Sequence, residues 1–257
     1  MARMLVTGSS QGLGLETARQ LSGLGHEVVL HARDDGRAEA TREALPTAAA
    51  IVVGDLASLG QTRALAEAAS AAGPFDVVVH NAGVGGGQPE RRPTEDGLER
   101  IFQVNVLAPY LLTCLLPRPT RLVYLSSGME ASGTWQPDDL QFERRPWHGM
   151  QAYSDSKLHD VMLAFAVARH WPDTISNAVD PGWIRTRMGG PSATDDLPEG
   201  AETQVWLATS DEPAATASGR YLKRRRVLDP NPVANDVEAQ EWLLAACADL
   251  TGETLPD

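Results

Sequence analysis

Short apolar runs and longer helical patterns alternate along the chain from its first residues. The runs are Met4–Thr7, Val28–His31, Ala50–Val53, Val77–His80, Leu122–Leu125, Ile175–Val179 and the shorter Gly219–Leu222. Between them, Leu13–Leu24, Arg37–Leu45, Leu59–Ala72, Leu98–Leu116, Ala152–His170, Ala201–Ala208 and Asp236–Leu250 carry apolar residues at helical spacing. Strands interleaved with helices read as βαβ units. They predict an α/β, doubly wound Rossmann fold: a seven-stranded parallel sheet with helices on both faces. Repeats, low-complexity tracts and a dividing linker are missing from the sequence, so residues 1–257 are expected to form one dinucleotide-binding and catalytic domain. Two stretches break the rhythm. An insertion at about 128–150 carries Trp and charge between a strand and a helix, and a segment at about 188–200 is rich in Gly, Pro and Asp. Loops of that length in a small domain are usually lids or binding walls.

Composition narrows the picture. A chain of 257 residues with 42% hydrophobic content can bury a full core. Its net charge of −12 argues against nucleic acid and anionic membrane as partners, since both reward clustered Lys and Arg. The one basic run, Lys223 to Arg226, reads as a solvated strand end. The two cysteines, Cys114 and Cys247, lie within apolar helical patterns and are expected to be buried thiols in a reducing compartment. No signal peptide or apolar run of membrane-spanning length is recognisable, so the expected location is cytoplasmic. The six histidines show neither HExxH nor a paired Cys, and no metal site is expected. Ser126-Ser127 lacks the G-x-S-x-G elbow that a hydrolase nucleophile would want.

The chemistry concentrates where strands end. Thr7-Gly8-Ser9-Ser10-Gln11-Gly12-Leu13-Gly14 falls between the first strand and the first helix. Glycines there let backbone N–H groups approach a pyrophosphate at a helix N-terminus. Tyr153 and Lys157 stand at i and i+4, on one helical face, in a chain with four tyrosines and only two lysines. Hydride reaching a carbonyl carbon leaves negative charge on oxygen, which a proton donor must relieve. A phenol, ordinarily with a pKa of ~10, serves near neutrality if a cation stands beside it.

The spacing TGxxxGxG, with Asp55-Leu56 after the third strand, Asn81-Ala82-Gly83 after the fourth and Tyr153-x-x-x-Lys157, resembles the short-chain dehydrogenases/reductases. The match spans residue 4 to about 225. The resemblance implies that Gly8, Ser10, Gln11, Gly12, Leu13 and Gly14 cradle the cofactor, and that Asp55 and Leu56 hold its adenine. It implies that Asn81, Ala82 and Gly83 support the central strand, with His80 standing where the family usually has Asn. It places the substrate hydroxyl donor on Ser127 and a water-holding amide on Asn105. It gives Tyr153 and Lys157 the acid–base role with contact to the cofactor, and it makes Pro181, Gly182, Trp183, Ile184 and Thr186 the turn on which the nicotinamide rests. Arg33, in His31-Ala32-Arg33, occupies the position that selects NADP(H) over NAD(H). No carboxylate is there for a ribose 2′-OH, and a guanidinium suits a 2′-phosphate.

Ser127 and Tyr153 are farther apart than is usual in the family. That spacing, with Ser156-Lys157-Leu158, is similar to the retinol dehydrogenase, WW-domain oxidoreductase and protochlorophyllide reductase group. Trp135, Trp147, Trp183 and Met188 are candidates for an apolar substrate mouth, against the plainer expectation that the insertion's aromatics pin it to the body. The expected activity is NADP(H)-dependent interconversion of a carbonyl and an alcohol on a small apolar molecule. Two alternatives compete. An extended-type nucleotide-sugar epimerase or dehydratase would want TGxxGxxG and about 100 more residues. A non-catalytic dinucleotide sensor would usually have lost the Tyr or the Lys. The insertion could fold over the outer face of the helix that follows, so a monomer or weak homodimer is expected.

Overall fold

The computed structural model describes residues 1–85 and 87–256. Its strands are β1 (Arg3–Val6), β2 (Glu27–Ala32), β3 (Ala50–Val53), β4 (Val77–His80), β5 (Arg121–Leu125), β6 (Ile175–Val179), β7 (Arg220–Lys223) and β8 (Arg226–Leu228). Its helices are α1 (Gly12–Gly23), α2 (Asp35–Ala44), α3 (Leu59–Ala72), α4 (Arg100–Phe102), α5 (Ala108–Leu115), α6 (Gly149–His170), α7 (Leu197–Thr209), α8 (Pro213–Thr216) and α9 (Val237–Thr251). The sheet order is β3-β2-β1-β4-β5-β6-β7-β8, and every pairing is parallel except β7 with β8.

The central strands are buried on both sides, which is why they read as unbroken apolar runs. Alternate residues point to opposite faces. Leu5, Val29, Val78, Leu122 and Tyr124 enter one core with α3, α5, α6 and α9. Met4, Val6, Val28, Leu30, Val79 and Leu125 enter the other with α1 and α7. The order in which strands are added reverses between β1 and β4, the switch point at whose carboxyl end an open α/β sheet binds ligands.

The strand count needs correction. Among the described residues the sheet has eight strands, not seven, and it is not wholly parallel. The basic run expected as a solvated strand end is largely exposed and joins the end of β7 to the start of β8 as a hairpin, whose two turn residues, Arg224 and Arg225, have φ of 49° and 60°. Turns of that hand usually announce themselves by Asn or Gly. Here ion pairs hold them instead, Arg224 to Asp195 and Glu199 and Arg225 to Glu202. The helix expected over 98–116 is also not uniform. Between α4 and α5, Gln103–Leu107 is wound as a π-helix, a geometry common at functional sites.

Candidate active site

The turn after β1 is built around backbone contact. Gly8 has φ of +63°, and a Cβ there would lie 2.8 Å from the Ala82 Cα; one on Gly14 would lie 2.5 Å from the Gly8 carbonyl oxygen. The turn is tied to the strands beside it. Thr7 Oγ1 accepts from the N–H groups of Asn81 and Ala82, both at 3.0 Å, and Asn81 Nδ2 donates to the Thr7 carbonyl at 2.8 Å. Ser9 Oγ accepts from the His31 N–H at 2.9 Å and donates to the Val6 carbonyl. Gln11 caps α1 without a side-chain hydrogen bond, which leaves the first N–H groups of the helix to a ligand. Ser10, Gly12 and Leu13 are half-buried around this rim. A Cβ at Gly8 or Gly14 would push the turn off Asn81 and Ala82, so the two glycines keep the turn and the start of α1 close against the sheet, a geometry that suits a dinucleotide pyrophosphate.

His31 contributes something its sequence position did not reveal. Nε2 donates to the Gly54 carbonyl at 2.8 Å, which leaves Nδ1 to accept from the Gly8 N–H at 2.9 Å. The ring therefore bridges the glycine turn to the end of β3. Burial holds its pKa below the ordinary value, with the Gly54 bond and Asp55 opposing. Asp55 Oδ1 accepts from the Ala57 N–H at 2.9 Å, and Leu56 is buried in the core beside it. Arg33, half-exposed, lies 3.4 Å from the Asp34 carboxylate and 4.0 Å from that of Asp55. Asp34 itself caps α2 by accepting from the Arg37 N–H, and that bond holds its carboxyl below the usual range.

Asn105, on the π-helical turn, is buried and pinned in both directions. Oδ1 accepts from the Val84 N–H at 2.8 Å, and Nδ2 donates to the Val84 carbonyl and to Ser156 Oγ at 2.9 Å. The amide so joins the β4 turn to α6. A side chain at Gly83 would come within 3.4 Å of Asn105 Oδ1 and 3.6 Å of Lys157 Nζ, so the backbone there runs past both groups.

Tyr153 and Lys157 share one face of α6, and Nζ lies 5.7 Å from the phenol ring centre. Lys157 is buried, its Nζ donating to the Leu125 carbonyl at 2.8 Å and to Asp160 Oδ2 at 2.7 Å. Ser126 turns inward to donate to the Lys157 carbonyl, while Ser127 stays half-exposed and caps a short 3-10 turn through Met129. The two serines thus divide their work: Ser126 fastens β5 to α6, and Ser127 is the one left at the strand's carboxyl end.

The turn after β6 closes over the glycines. Asp180 Oδ1 accepts from the Gly182 N–H and Oδ2 from Lys223 Nζ, both at 2.8 Å. Pro181 is half-buried and Ile184 fully so. Thr186 accepts from the Gly189 N–H, and its methyl lies over Gly12. Trp183 is exposed, with Nε1 donating to the Gly189 carbonyl at 3.0 Å. Met188 reaches across toward the β4 turn, where a side chain at Gly85 would come within 3.1 Å of its Cγ.

The insertion organises itself. The Asp139 carboxylate accepts from the N–H groups of Glu143, Arg144 and Arg145, and Arg145 stacks on Phe142 and pairs with the buried Asp155 of α6 at 2.7 Å. Trp135 corrects its assignment to the substrate mouth. It packs edge-on against His159 of α6 and Trp242 of α9, on the side of α6 turned away from Tyr153 and Lys157. Trp147 packs on Phe142 and donates to the Gln88 carbonyl, on the loop that follows the β4 turn.

The comparisons agree with this geometry. The family model for short chain dehydrogenase matches residues 2–120. The chain is 40% identical to short-chain dehydrogenase chyC of Penicillium rubens, over 100% of both proteins. It is 32% identical to human retinol dehydrogenase 14, over 93% of this chain and 83% of that protein. An uncharacterized protein from Mycobacterium paratuberculosis superposes with a TM-score of 0.85 at 26% identity, over 100% of this chain and 96% of that one. The chain belongs to the short-chain dehydrogenase family, oxidoreductases that act on CH–OH groups with NAD(P). Retinol dehydrogenases are among its relatives, as the resemblance implied. Among the described residues, no helix is long and apolar enough to cross a membrane.

Proposed function

We propose that the protein reduces the carbonyl of a small apolar molecule, or oxidises the corresponding alcohol, with NADP(H). The observation that carries this is the Tyr153–Lys157 couple, with the ammonium fixed at the carboxyl end of β5 and beside the turn after β4. The dinucleotide supplies or accepts the hydride. Residues of the glycine turn and the Pro181–Thr186 turn hold it. Ser127 Oγ donates to the substrate oxygen, and Tyr153 Oη gives that oxygen its proton in reduction and takes it back in oxidation. The Lys157 ammonium favours the phenolate, and Asn105 ties α6 to the β4 turn so that these groups keep their spacing. Met188, Trp183 and Trp147 form the apolar side of the mouth. NADPH oxidation measured against a panel of aldehydes and ketones tests the reading. Turnover of at least one, abolished by Tyr153→Phe, is the expected result, and a chain that binds NADPH yet turns over none would favour a sensor.

The preference for NADP(H) rests on Arg33. A 2′-phosphate would compete with Asp34 and Asp55 for a guanidinium already drawn to that rim. Arg33→Ala is expected to weaken NADPH by about tenfold while leaving NADH nearly unchanged, the scale of an exposed charge-assisted hydrogen bond. Fluorescence titration with both cofactors measures it, and tighter NADH binding by the unmodified protein would exclude the preference.

We also propose that the chain is a monomer or weak dimer. The outer face of α6 is covered by Trp135 and by α9, and residues 253–256 lie on α5 and its surroundings. Tyr110 Oη donates to the Glu253 carbonyl at 2.8 Å, Trp171 Nε1 donates to that of Pro256 at 2.7 Å, and Arg63 pairs with Glu253. Helices so covered cannot pair across a two-fold without displacing their cover. Light scattering at micromolar concentration should give a mass near 27.6 kDa, and a stable tetramer would rule the proposal out.

A further inference from the structure

Lys157 is held by a group to which the proposed chemistry assigns no task. Asp160 stands one turn farther along α6 and meets the ammonium at 2.7 Å, and the two side chains are only 6% and 4% exposed. A carboxylate buried this deeply needs its partner, since an unpaired charge there would be expensive. The pairing has an electrostatic consequence. A lone ammonium beside Tyr153 would act on the phenol at full strength, whereas an ammonium paired with a carboxylate acts on it as a dipole, whose field falls off faster.

We propose that Asp160 is a positioning residue for the Tyr153–Lys157 couple: it fixes Nζ between its own carboxylate and the Leu125 carbonyl, and its charge sets the pH range over which the couple moves its proton. The proposal rests on the acid–base reading given above. Burial alone would pull the Lys157 ammonium down, but Asp160 and then Tyr153 outweigh it, and Lys157 stands above its ordinary value. Burial pushes Asp160 up to about 6 against the pull of Lys157. Among the described residues, Tyr221 of β7, itself beside Asp180 and Glu130, faces Tyr153. Tyr124 on β5 feels Asp160, bonds Thr113 of α5 near Cys114, and stacks on His80 of β4. Asn105 and the Gly83 backbone, both uncharged, flank Nζ.

Asp160→Asn keeps the shape and an acceptor for Nζ and removes the charge. Both protons of the couple then come off more readily, so its titration moves to lower pH whichever group is credited. Tyrosine labelled with 13C at Cζ reads this directly in the NADP⁺-loaded protein, without any substrate. There are four tyrosines, and burial pushes Tyr110, Tyr124 and Tyr221 far up, so the resonance that titrates first and vanishes in Tyr153→Phe is identified. The expected result is a midpoint lower by about one pH unit in Asp160→Asn. An unchanged or raised midpoint would overturn the proposal and leave Asp160 a structural partner. If Asp160→Asn does not fold, Lys157→Met is compared with Lys157→Met/Asp160→Asn, which leaves no unpaired ammonium. The double variant must then titrate lower than the single one, and equal midpoints would overturn the proposal. The outcome is separable from the acid–base reading. A shifted midpoint with full turnover in Tyr153→Phe would refute that reading alone, and an unshifted midpoint with no turnover would refute only the role of Asp160.

Discussion

Tyr153→Phe is expected to lower turnover by about 10²- to 10⁴-fold on any carbonyl that the enzyme accepts, the usual worth of a positioned proton donor. The variant removes one oxygen atom from a half-buried side chain at the mouth of the site, so the fold has little to lose. The glycine turn is held by Thr7, Ser9, His31 and Asn81, none of which touches the phenol, so NADPH binding should stay within about twofold. Lys157→Ala is expected to behave differently. It strips a buried ion pair of its cation and leaves Asp160 alone in the interior, which costs about 3–5 kcal/mol when one partner of such a pair is removed. The two variants therefore separate chemistry from architecture. Circular dichroism and NADPH titration should leave Tyr153→Phe indistinguishable from the parent, while Lys157→Ala melts earlier. Retention of more than a few per cent of turnover by Tyr153→Phe would remove the phenol from the mechanism.

Much of this site could be read from residue order, because the sheet does the positioning. Strand ends and helix starts follow from apolar runs and their interruptions, and in a doubly wound sheet the carboxyl ends of β1, β4, β5 and β6 converge. Gly8 to Gly14, Asn81 to Gly83, Ser127 and Pro181 to Thr186 could be placed without knowing any side-chain contact. What could not be read depends on partners distant in sequence. Trp135 looks like a mouth residue until Trp242 is known to stand beside it. Asn105 is visibly out of place in a helix, but the π-helical turn that aims it is fastened by Val84 and Ser156. His31 reads as one more residue of an apolar strand, and its bridge from Gly8 to Gly54 needs three chain segments at once. Asp160 was within reach of the sequence alone, since i and i+3 are neighbours on a helix. Its burial, which gives the spacing its meaning, was not.

Lowering the pH from about 7.5 to about 5 is expected to destabilise the folded chain by several kcal/mol, well before carboxylate titration dominates. The cause is three neutral histidines in the interior. Burial pulls His80 down to about 3 and His159 to about 4, and it lowers His31 as well. Among the described residues, neither ring nitrogen of His159 has a hydrogen-bond partner, nor has Nδ1 of His80, so an added proton would arrive as an uncompensated buried charge. A group whose folded-state pKa is depressed gives stability that is present above its unfolded value, near 6.5, and lost as the pH falls below it. At about pH 5 the loss comes to about 2 kcal/mol for each of His80 and His159, with His31 adding to it. Asp160 acts in the opposite sense. Burial raises it to about 6, so the folded chain takes up that proton first and recovers about 1 kcal/mol over the same interval, with Glu99 and Glu130, also raised by burial, helping in the same direction. The histidines win because their window opens first and includes more groups. The melting temperature should fall by roughly 5–10 °C between those two pH values for a chain of this size. His80→Asn, which returns the residue expected at that position, should flatten the fall by about a third to a half if it folds like the parent. A melting temperature that holds steady to pH 5 would mean that these rings take up protons in the folded state.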